Sequence, residues 1–291
     1  MSAWTSTNCI FVSDLHGVES RYRTLFSIMA ERRPDIVFLG GDLLPSGLSV
    51  LASGGVHSDF VNGFLAIELG RLRQSIGFAY PRIFVILGND DPRFEEPSML
   101  DVAARGLWHY AHNRRFAVGP YSIYGYSYVP PTPFLLKDWE RYDVSRYVDP
   151  GAVSPGEGYR SVPVSDHEIT FSTIQADLVS LAGDRDLSRS VFLFHAPPYQ
   201  STLDRAALDG KMIDHVPLDV HVGSIAISRF IQERQPLVTL HGHIHESARL
   251  TGSWKDQIGR TAALSAAHDG PELALVSFSL EDPLTAIREL L

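Results

Sequence analysis

Residues 9–17, CIFVSDLHG, begin as an apolar run and end in an aspartate, a histidine and a glycine. A short apolar run that contains β-branched and aromatic residues predicts a buried strand, and the polar residues mark its end. Residues 34–44, PDIVFLGGDLL, repeat this arrangement, and residues 19–33 between the two runs have helical spacing. The sequence therefore predicts that the chain opens with a β-α-β unit.

Three later segments repeat the pattern of an apolar strand that ends in polar residues. They are RIFVILGNDD (82–91), SVFLFHAPP (190–198) and PLVTLHGHIHES (236–247). In open α/β sheets, ligands bind at the carboxyl ends of the strands. We therefore expect the polar clusters at the five strand ends to converge, although they are spread from residue 14 to residue 245.

The whole chain, residues 1–291, is predicted to form one α/β domain. Its length and its 44% content of hydrophobic residues are sufficient for a large core. Two segments have the composition of insertions. The first, near residues 45–58, is rich in glycine and serine, and the second, residues 119–163, contains most of the tyrosines and breakers such as VPPTP.

Helices are expected over residues 166–182 and 223–233, with Ser224 as the N-cap of the second. The tyrosine-rich residues 121–128 alternate as a half-buried strand does, which favours core packing over substrate stacking. After His245 the pattern becomes one of short strands.

Composition excludes several classes of function. The formal net charge is -9, and no run of lysine and arginine could follow a phosphate backbone or an anionic bilayer, so neither duplex nucleic acid nor membrane is expected as a partner. Cys9 is the single cysteine, which rules out an internal disulfide, and the first residues lack the pattern of a signal peptide. No uncharged apolar run approaches the roughly 18 residues that span a bilayer. We expect a soluble, cytoplasmic protein.

The strand-end residues together form a candidate metal-binding set. Carboxylate and amide oxygens combined with imidazole nitrogens suit Mn, Fe, Zn, Ni or Co, whereas Mg or Ca prefers oxygen alone. The Asp-x-His and His-x-His spacings have the two-residue period of an extended chain, which would point both side chains of each pair to one face. Seven ligands exceed one tetrahedral sphere and match two divalent ions that share a carboxylate. The candidates are Asp14, His16, Asp42, Asn89, His195, His243 and His245.

In their order and spacing these motifs resemble those of the calcineurin-like metallophosphoesterases, which run Asp-x-His, Gly-Asp, Gly-Asn-His-Asp/Glu, His and Gly-His-x-His. The passage HVGSIAISRFIQERQPLVTLHGHIHES (221–247) is more similar to the Icc-like phosphodiesterase branch than to the protein phosphatases. The resemblance covers nearly the whole chain. It implies a four-layer α/β/β/α sandwich of mixed β-sheets flanked by helices.

The resemblance also implies a role for each candidate residue. Asp42 would bridge two ions, and a metal-bridging hydroxide would attack the phosphorus atom of a small, nucleotide-like phosphoester. Asn89, Asp90 and His195 would take part in catalysis. One ion would be held by Asp14, His16 and His245, and the other by Asn89, His195 and His243.

The sequence departs from the family pattern at GNDD, where Asp90 stands in place of a histidine. That histidine is thought to protonate the leaving group, and an aspartate, with a reference pKa of about 3.9, is a poor donor at neutral pH. This favours phosphodiesters with good leaving groups over alkyl monoesters. The alternatives are a phosphomonoesterase or phosphoprotein phosphatase, and a non-catalytic interaction module on the same fold.

Three further histidines have less informative positions. His241 shares the alternation of His243 and His245, but the resemblance assigns only the latter pair to metal, so we expect His241 to be structural or to support a ligand. His268 is a weaker candidate for lining the pocket. His221 and the following Gly-Ser would either bind phosphate at a helix N-terminus or form an ordinary cap.

Overall fold

The computed structural model describes residues 6–47 and 59–291. Its α-helices with described bounds are α1 (Glu19–Arg32), α2 (Ala66–Ile76), α3 (Glu96–Ala104), α4 (Asp166–Phe171), α5 (Ile174–Ala182), α6 (Ile225–Arg234) and α7 (Ser247–Thr251). Its strands are β1 (Asn8–Val12), β2 (Ile36–Gly40), β3 (Arg82–Ile86), β4 (His109–Tyr110), β5 (Arg114–Val118), β6 (Tyr121–Tyr126), β7 (Ser190–Phe194), β8 (Met212–Ile213), β9 (Val216–Pro217), β10 (Val238–His241), β11 (Lys255–Ile258), β12 (Thr261–Ser265), β13 (Ala274–Ser279) and β14 (Ile287–Leu290).

The strands form two mixed six-stranded sheets and one small hairpin. The first sheet has the order β14-β13-β1-β2-β3-β4, and the second has the order β11-β12-β10-β7-β6-β5. Strands β1 to β4 pair in parallel, as do β6, β7, β10 and β12, while the outer strands β14, β13, β11 and β5 pair antiparallel to their neighbours. The carboxyl ends of the central parallel strands therefore meet at one edge of each sheet.

The central strands are apolar on both faces because each sheet is covered on both sides. Phe11 and Phe38 of the first sheet share a buried cluster with Val191 and Leu240 of the second, which is the core between the sheets. The alternate residues of the same strands belong to another cluster that contains the inner faces of the helices. Such two-sided burial explains the continuous apolar runs in the sequence. The layers are helix, sheet, sheet, helix, so the predicted four-layer sandwich is confirmed.

Helices on the outside cover one sheet each. Tyr22 and Leu25 of α1 are buried in the same cluster as Val12 of β1. On the other side, Phe230 of α6 packs edge-on against Phe192 of β7, with ring centroids 4.9 Å apart. None of the helices in the described ranges is long and apolar enough to cross a membrane.

Most of the predicted elements are present, with one difference. The opening β-α-β unit is confirmed by the parallel pairing of β1 with β2, and the Ser224 side chain caps α6 by accepting from the Ile227 amide at 3.0 Å. The helix expected over residues 166–182 is interrupted between α4 and α5. Thr173 is extended there and its hydroxyl accepts from the Ala176 amide, because a local cap competes with continuation of the helix.

The two segments predicted as insertions differ in how much of them the structure describes. Of residues 45–58, residues 48–58 lie outside the described part of the chain. Residues 119–163 begin with β6, a strand within the second sheet, and the chain leaves that sheet only after Tyr126. The segment that follows Tyr126 contains an ion pair between Lys137 and Glu140, both completely buried, at 2.5 Å.

The core between the sheets should dominate stability. Phe38 is fully buried and stacks between Phe84 and Phe278, with centroids 5.9 and 6.1 Å away. Phe38→Ala is expected to reduce the free energy of unfolding by about 3–5 kcal/mol, because it removes buried area and leaves a cavity. Urea denaturation measures the loss. The matched control is Phe78→Ala, whose ring is fully exposed, and equal losses in both variants would contradict this account.

Candidate metal centre

Five loops at the strand ends bring the candidate ligands together. The loop after β1 carries Asp14 and His16, the loop after β2 carries Asp42, and the turn after β3 carries Asn89. His195 directly follows β7, while His243 and His245 follow β10. The first sheet thus supplies the carboxylates and the second sheet supplies three of the four imidazoles.

Several of these residues have a left-handed backbone. The φ angles are 57° at Asp14, 49° at His16, 51° at Asp42 and 74° at His243. The expectation that Asp-x-His and His-x-His lie in extended chain was therefore wrong, because the strands end before the pairs begin. Residues other than glycine adopt this region at a cost of order 1–3 kcal/mol each, and such strain concentrates at functional sites.

One group of ligand atoms is formed by Asp14, His16, Asp42 and His245, all within 4.8 Å of one another. The Nε2 atoms of His16 and His245 lie 3.3 Å apart, and His245 Nε2 lies 3.2 Å from Asp14 Oδ1. Two imidazole nitrogens and a carboxylate oxygen thus converge on one point, and each can donate a lone pair to a cation. A cation between them would satisfy all three, so the donor set fits a metal ion.

A second group is formed by Asp42, His195 and His243 under the same 4.8 Å limit. His195 Nε2 lies 3.3 Å from Asp42 Oδ2 and 3.1 Å from the amide oxygen of Asn89. Asp42 belongs to both groups. The arrangement matches two adjacent sites that share one carboxylate.

Buried charges of opposite sign dominate the electrostatics of the centre. Burial alone would raise the pKa of Asp14 and of Asp42, but the neighbouring histidines lower both. Burial alone would lower the pKa of a histidine. Here Asp90 and Asp42 raise the pKa of His16 to about 9, and Asp42 raises that of His195 to about 9. Bound cations would take the place of these protons, since metal binding displaces protons from its ligands.

Two glycines of the motifs are required by close approach. A Cβ at Gly88 would lie 2.6 Å from His195 Nε2, and one at Gly242 would lie 2.6 Å from Asp14 Oδ2. A side chain at either position would displace a ligand. The glycines in GND and HGH are therefore part of the centre.

The sequence pattern of the calcineurin-like phosphoesterases matches residues 7–247, the part of the chain that contains both ligand groups. The chain belongs to this family.

Solved structures share the fold of this phosphoesterase at low sequence identity. One crystal structure has a TM-score of 0.60 at 14% identity, with 98% of this chain and 99% of that chain covered. The protein TT1561 of Thermus thermophilus has a TM-score of 0.56 at 14% identity, again with 98% and 99% covered. A dimetal phosphatase from Danio rerio has a TM-score of 0.50 at 11% identity, with 93% and 91% covered. No curated protein matches the sequence.

Asp91 anchors the loops that carry ligands of the phosphoesterase centre. It was not among the predicted site residues. Its fully buried carboxylate accepts from the amides of Leu43 at 2.9 Å, Leu44 at 2.7 Å and Gly88 at 2.8 Å. Burial and the neighbouring Asp42 raise its pKa to about 7, against the effect of these amides. Asp91 thus ties the loop that carries Asp42 to the turn that carries Asn89. Its position after Asp90 in GNDD was the available signal.

Arg21 is a second supporting residue, and nothing in the sequence marks it. Its guanidinium donates to the carbonyl oxygens of Asp14 at 3.0 Å and Gly270 at 2.7 Å. It joins the first ligand loop to the segment that carries His268. His268 Nε2 lies 3.0 Å from Glu272 Oε2, and His268 and Asp14 line the same small void.

His241 does not face the ligand groups. It is the last residue of β10, and its Nδ1 and Nε2 lie 2.8 Å from the Ala196 carbonyl oxygen and the Thr239 hydroxyl. Burial lowers its pKa to about 4, so the ring is neutral. It is structural, as expected, because the chain turns after it and breaks the alternation.

The N-terminus of α6, near His221, is hydrogen-bonded to a side chain of the protein itself. The Asp143 carboxylate accepts from the Ile225 amide at 2.7 Å and from the Ser224 hydroxyl at 2.6 Å. His221 instead pairs with buried Asp204 at 2.8 Å. These contacts satisfy the helix N-terminus with protein groups, which favours the ordinary cap over phosphate binding.

Loss of the Asp91 carboxylate should destabilise the protein. Asp91→Ala leaves three buried amides without acceptors, and each such group typically costs about 1–3 kcal/mol. We expect a loss of at least about 3 kcal/mol in the free energy of unfolding, measured with urea. Asp91→Asn retains one acceptor oxygen and should lose less.

Asp101→Ala, which removes an exposed carboxylate from α3, is the control for the change in charge. It should leave stability nearly unchanged. If Asp101→Ala lowers the free energy of unfolding as much as Asp91→Ala does, the loss is caused by the change in net charge and not by release of the loop that Asp91 anchors.

Proposed function

We infer that this phosphoesterase uses two divalent transition-metal ions to hydrolyse a small, nucleotide-like phosphodiester. The observation that carries this proposal is the shared position of Asp42, which belongs to two groups of converging ligand atoms. Membership of the family supports hydrolysis of a phosphoester. The identity of the metal, among Mn, Fe, Zn, Ni and Co, stays a prediction.

The residues available for one ion are Asp14, His16, Asp42 and His245, and those for the other are Asp42, Asn89, His195 and His243. When bound, two such ions activate water as a nucleophile at neutral pH and stabilise the negative charge that develops on phosphate oxygens.

The protein holds these donors in place before substrate arrives. The Nδ1 of His195 donates to the Gly40 carbonyl oxygen at 2.8 Å, which directs Nε2 towards Asp42. The Asp42 carboxylate also accepts from the Asp90 amide at 2.8 Å. Because Asn89 and the neutral imidazoles add no negative charge, the two carboxylates offset only half the charge of two dications. The remaining positive charge favours a phosphate anion.

Asp90 supports a diester as substrate. Its Oδ1 accepts from the Ser46 hydroxyl at 2.8 Å, and its Oδ2 lies 3.4 Å from His16 Nδ1. Oδ1 accepts a hydrogen bond, and Oδ2 faces the imidazole as an ion-pair partner. A leaving group that departs without a proton from this position, such as an aryl alcohol, is therefore favoured over an alkyl alcohol.

The alternatives differ in what they require of the centre. A non-catalytic module has no need of strained, converging ligands, so the geometry favours an enzyme. A phosphomonoesterase or phosphoprotein phosphatase is the outcome that the substrate comparison below would reveal. The small phosphoester partner stays a prediction from the resemblance. The absence of a nucleic-acid or membrane partner and the cytoplasmic location stay predictions from the composition and the first residues of the sequence.

Removal of a ligand tests the metal-dependent activity. Asp42→Ala and His195→Ala should each reduce kcat/KM towards an aryl phosphodiester by more than about 100-fold, since even groups that only orient a metal ligand typically contribute 10–100-fold. The fold should remain, because the apolar strands do not depend on the loops. Chelation followed by restoration of metal should abolish and recover activity in the wild type. His167→Ala, an exposed histidine of α4, is the matched control, and wild-type activity in either ligand variant would refute the assignment.

Substrate class is tested with an aryl phosphodiester and an alkyl phosphomonoester, at saturating metal. The wild type should have the higher kcat/KM for the diester. Asp90→His should raise the ratio of monoester to diester hydrolysis, because an imidazole with a reference pKa near 6.5 donates a proton at neutral pH. A wild type that prefers the monoester, or a variant in which both rates fall equally, would contradict the argument from the missing acid.

A further inference from the structure

The two ring nitrogens of His16 face different partners. Nε2 points into the ligand group, 3.3 Å from His245 Nε2. Nδ1 points the opposite way, 3.4 Å from Asp90 Oδ2. The ring is therefore directed towards a metal position on one side and towards a carboxylate on the other.

Asp90 is itself held by its surroundings. The Ser46 hydroxyl donates to Oδ1 at 2.8 Å, which leaves Oδ2 for His16. The backbone is fixed as well, because the Asp90 amide donates to Asp42 Oδ1 at 2.8 Å and its carbonyl oxygen accepts from the Gly47 amide at 2.8 Å. These contacts orient the carboxylate before any ligand binds.

His195 has an equivalent arrangement built from different groups. Its Nδ1 donates to the Gly40 carbonyl oxygen, and its Nε2 faces Asp42. A histidine that binds metal through one nitrogen usually donates from the other, which selects the tautomer and aligns the ring. For His195 the acceptor is backbone, whereas for His16 the group that faces Nδ1 is the carboxylate of Asp90, 3.4 Å away.

We propose that Asp90 is a positioning residue, whose carboxylate orients His16 and selects the tautomer that presents Nε2 to a metal ion. The inference rests on the proposed function, because it assigns a role within the same centre. Its consequence is specific to one site: loss of Asp90 should weaken the site that contains His16 and leave the site that contains His195 intact.

The test measures the binding of Co²⁺ to the metal-free 291-residue chain by calorimetry and visible absorption, which needs no turnover. The wild type should bind two ions. Asp90→Ala should weaken one site by about 10–100-fold, the usual effect of removing such a partner. Asp90→Asn should recover most of the affinity, because its amide oxygen still accepts from Nδ1. Ser46→Ala should cause a smaller loss.

A double-mutant cycle separates orientation of His16 from a simple effect of charge. In a His16→Ala background, Asp90→Ala should cause no further loss at the remaining site. Asp101→Ala, which removes an exposed carboxylate, should leave both sites unchanged. Circular dichroism verifies that each variant folds. If Asp90→Ala does not fold, the two single variants Asp90→Asn and Ser46→Ala provide the test.

The outcomes distinguish this inference from the proposed function. If the wild type binds two ions and Asp90→Ala binds both with unchanged affinity, only the positioning role is overturned. The positioning role is also overturned if Asp90→Ala weakens the remaining site in the His16→Ala background, since a loss there would be an effect of charge alone. If the wild type binds fewer than two ions, the dinuclear function fails and the inference fails with it.

Discussion

The centre depends on the contacts that the buried carboxylate of Asp42 makes with opposite charge and hydrogen-bond donors. A carboxylate removed from water is costly unless opposite charge and hydrogen-bond donors surround it. Here His195 lies 3.3 Å away and the Asp90 amide lies 2.8 Å away, while His16 adds a favourable charge. His195 comes from the second sheet and the others come from the first. The centre therefore exists only while the two sheets remain packed face to face, through the cluster that contains Phe38 and Leu240.

Rigid sheets also allow the strained loops to persist. Asp14, His16, Asp42 and His243 all have positive φ, and each such residue lowers stability locally. The loops nevertheless hold their shape because buried groups anchor them, as Asp91 does through the amides of the Asp42 loop. The result is a set of donors that is arranged before substrate binds, which is the arrangement that metal-assisted hydrolysis requires.

The adjacent residues Asp90 and Asp91 illustrate how environment assigns different tasks to the same side chain. Asp91 is fully buried and accepts from backbone amides, so it stabilises the loops. Asp90 is partly exposed and faces Ser46 and His16, so it acts on the ligand set itself. The sequence GNDD does not distinguish them. The difference arises from which segments fold against each carboxylate.

The sequence by itself determined the fold class, the opening β-α-β unit, the cap at Ser224 and the group of residues that meet at the strand ends. These depend on apolar periodicity and on residue type, which are local properties of the chain. Only the tertiary structure decided that His241 faces the core and that Asp143 occupies the helix at Ser224. It alone revealed the left-handed turns at the ligand pairs and the supports from Arg21 and Asp91. Those features come from contacts between segments far apart in the chain, and periodicity carries no information about such contacts.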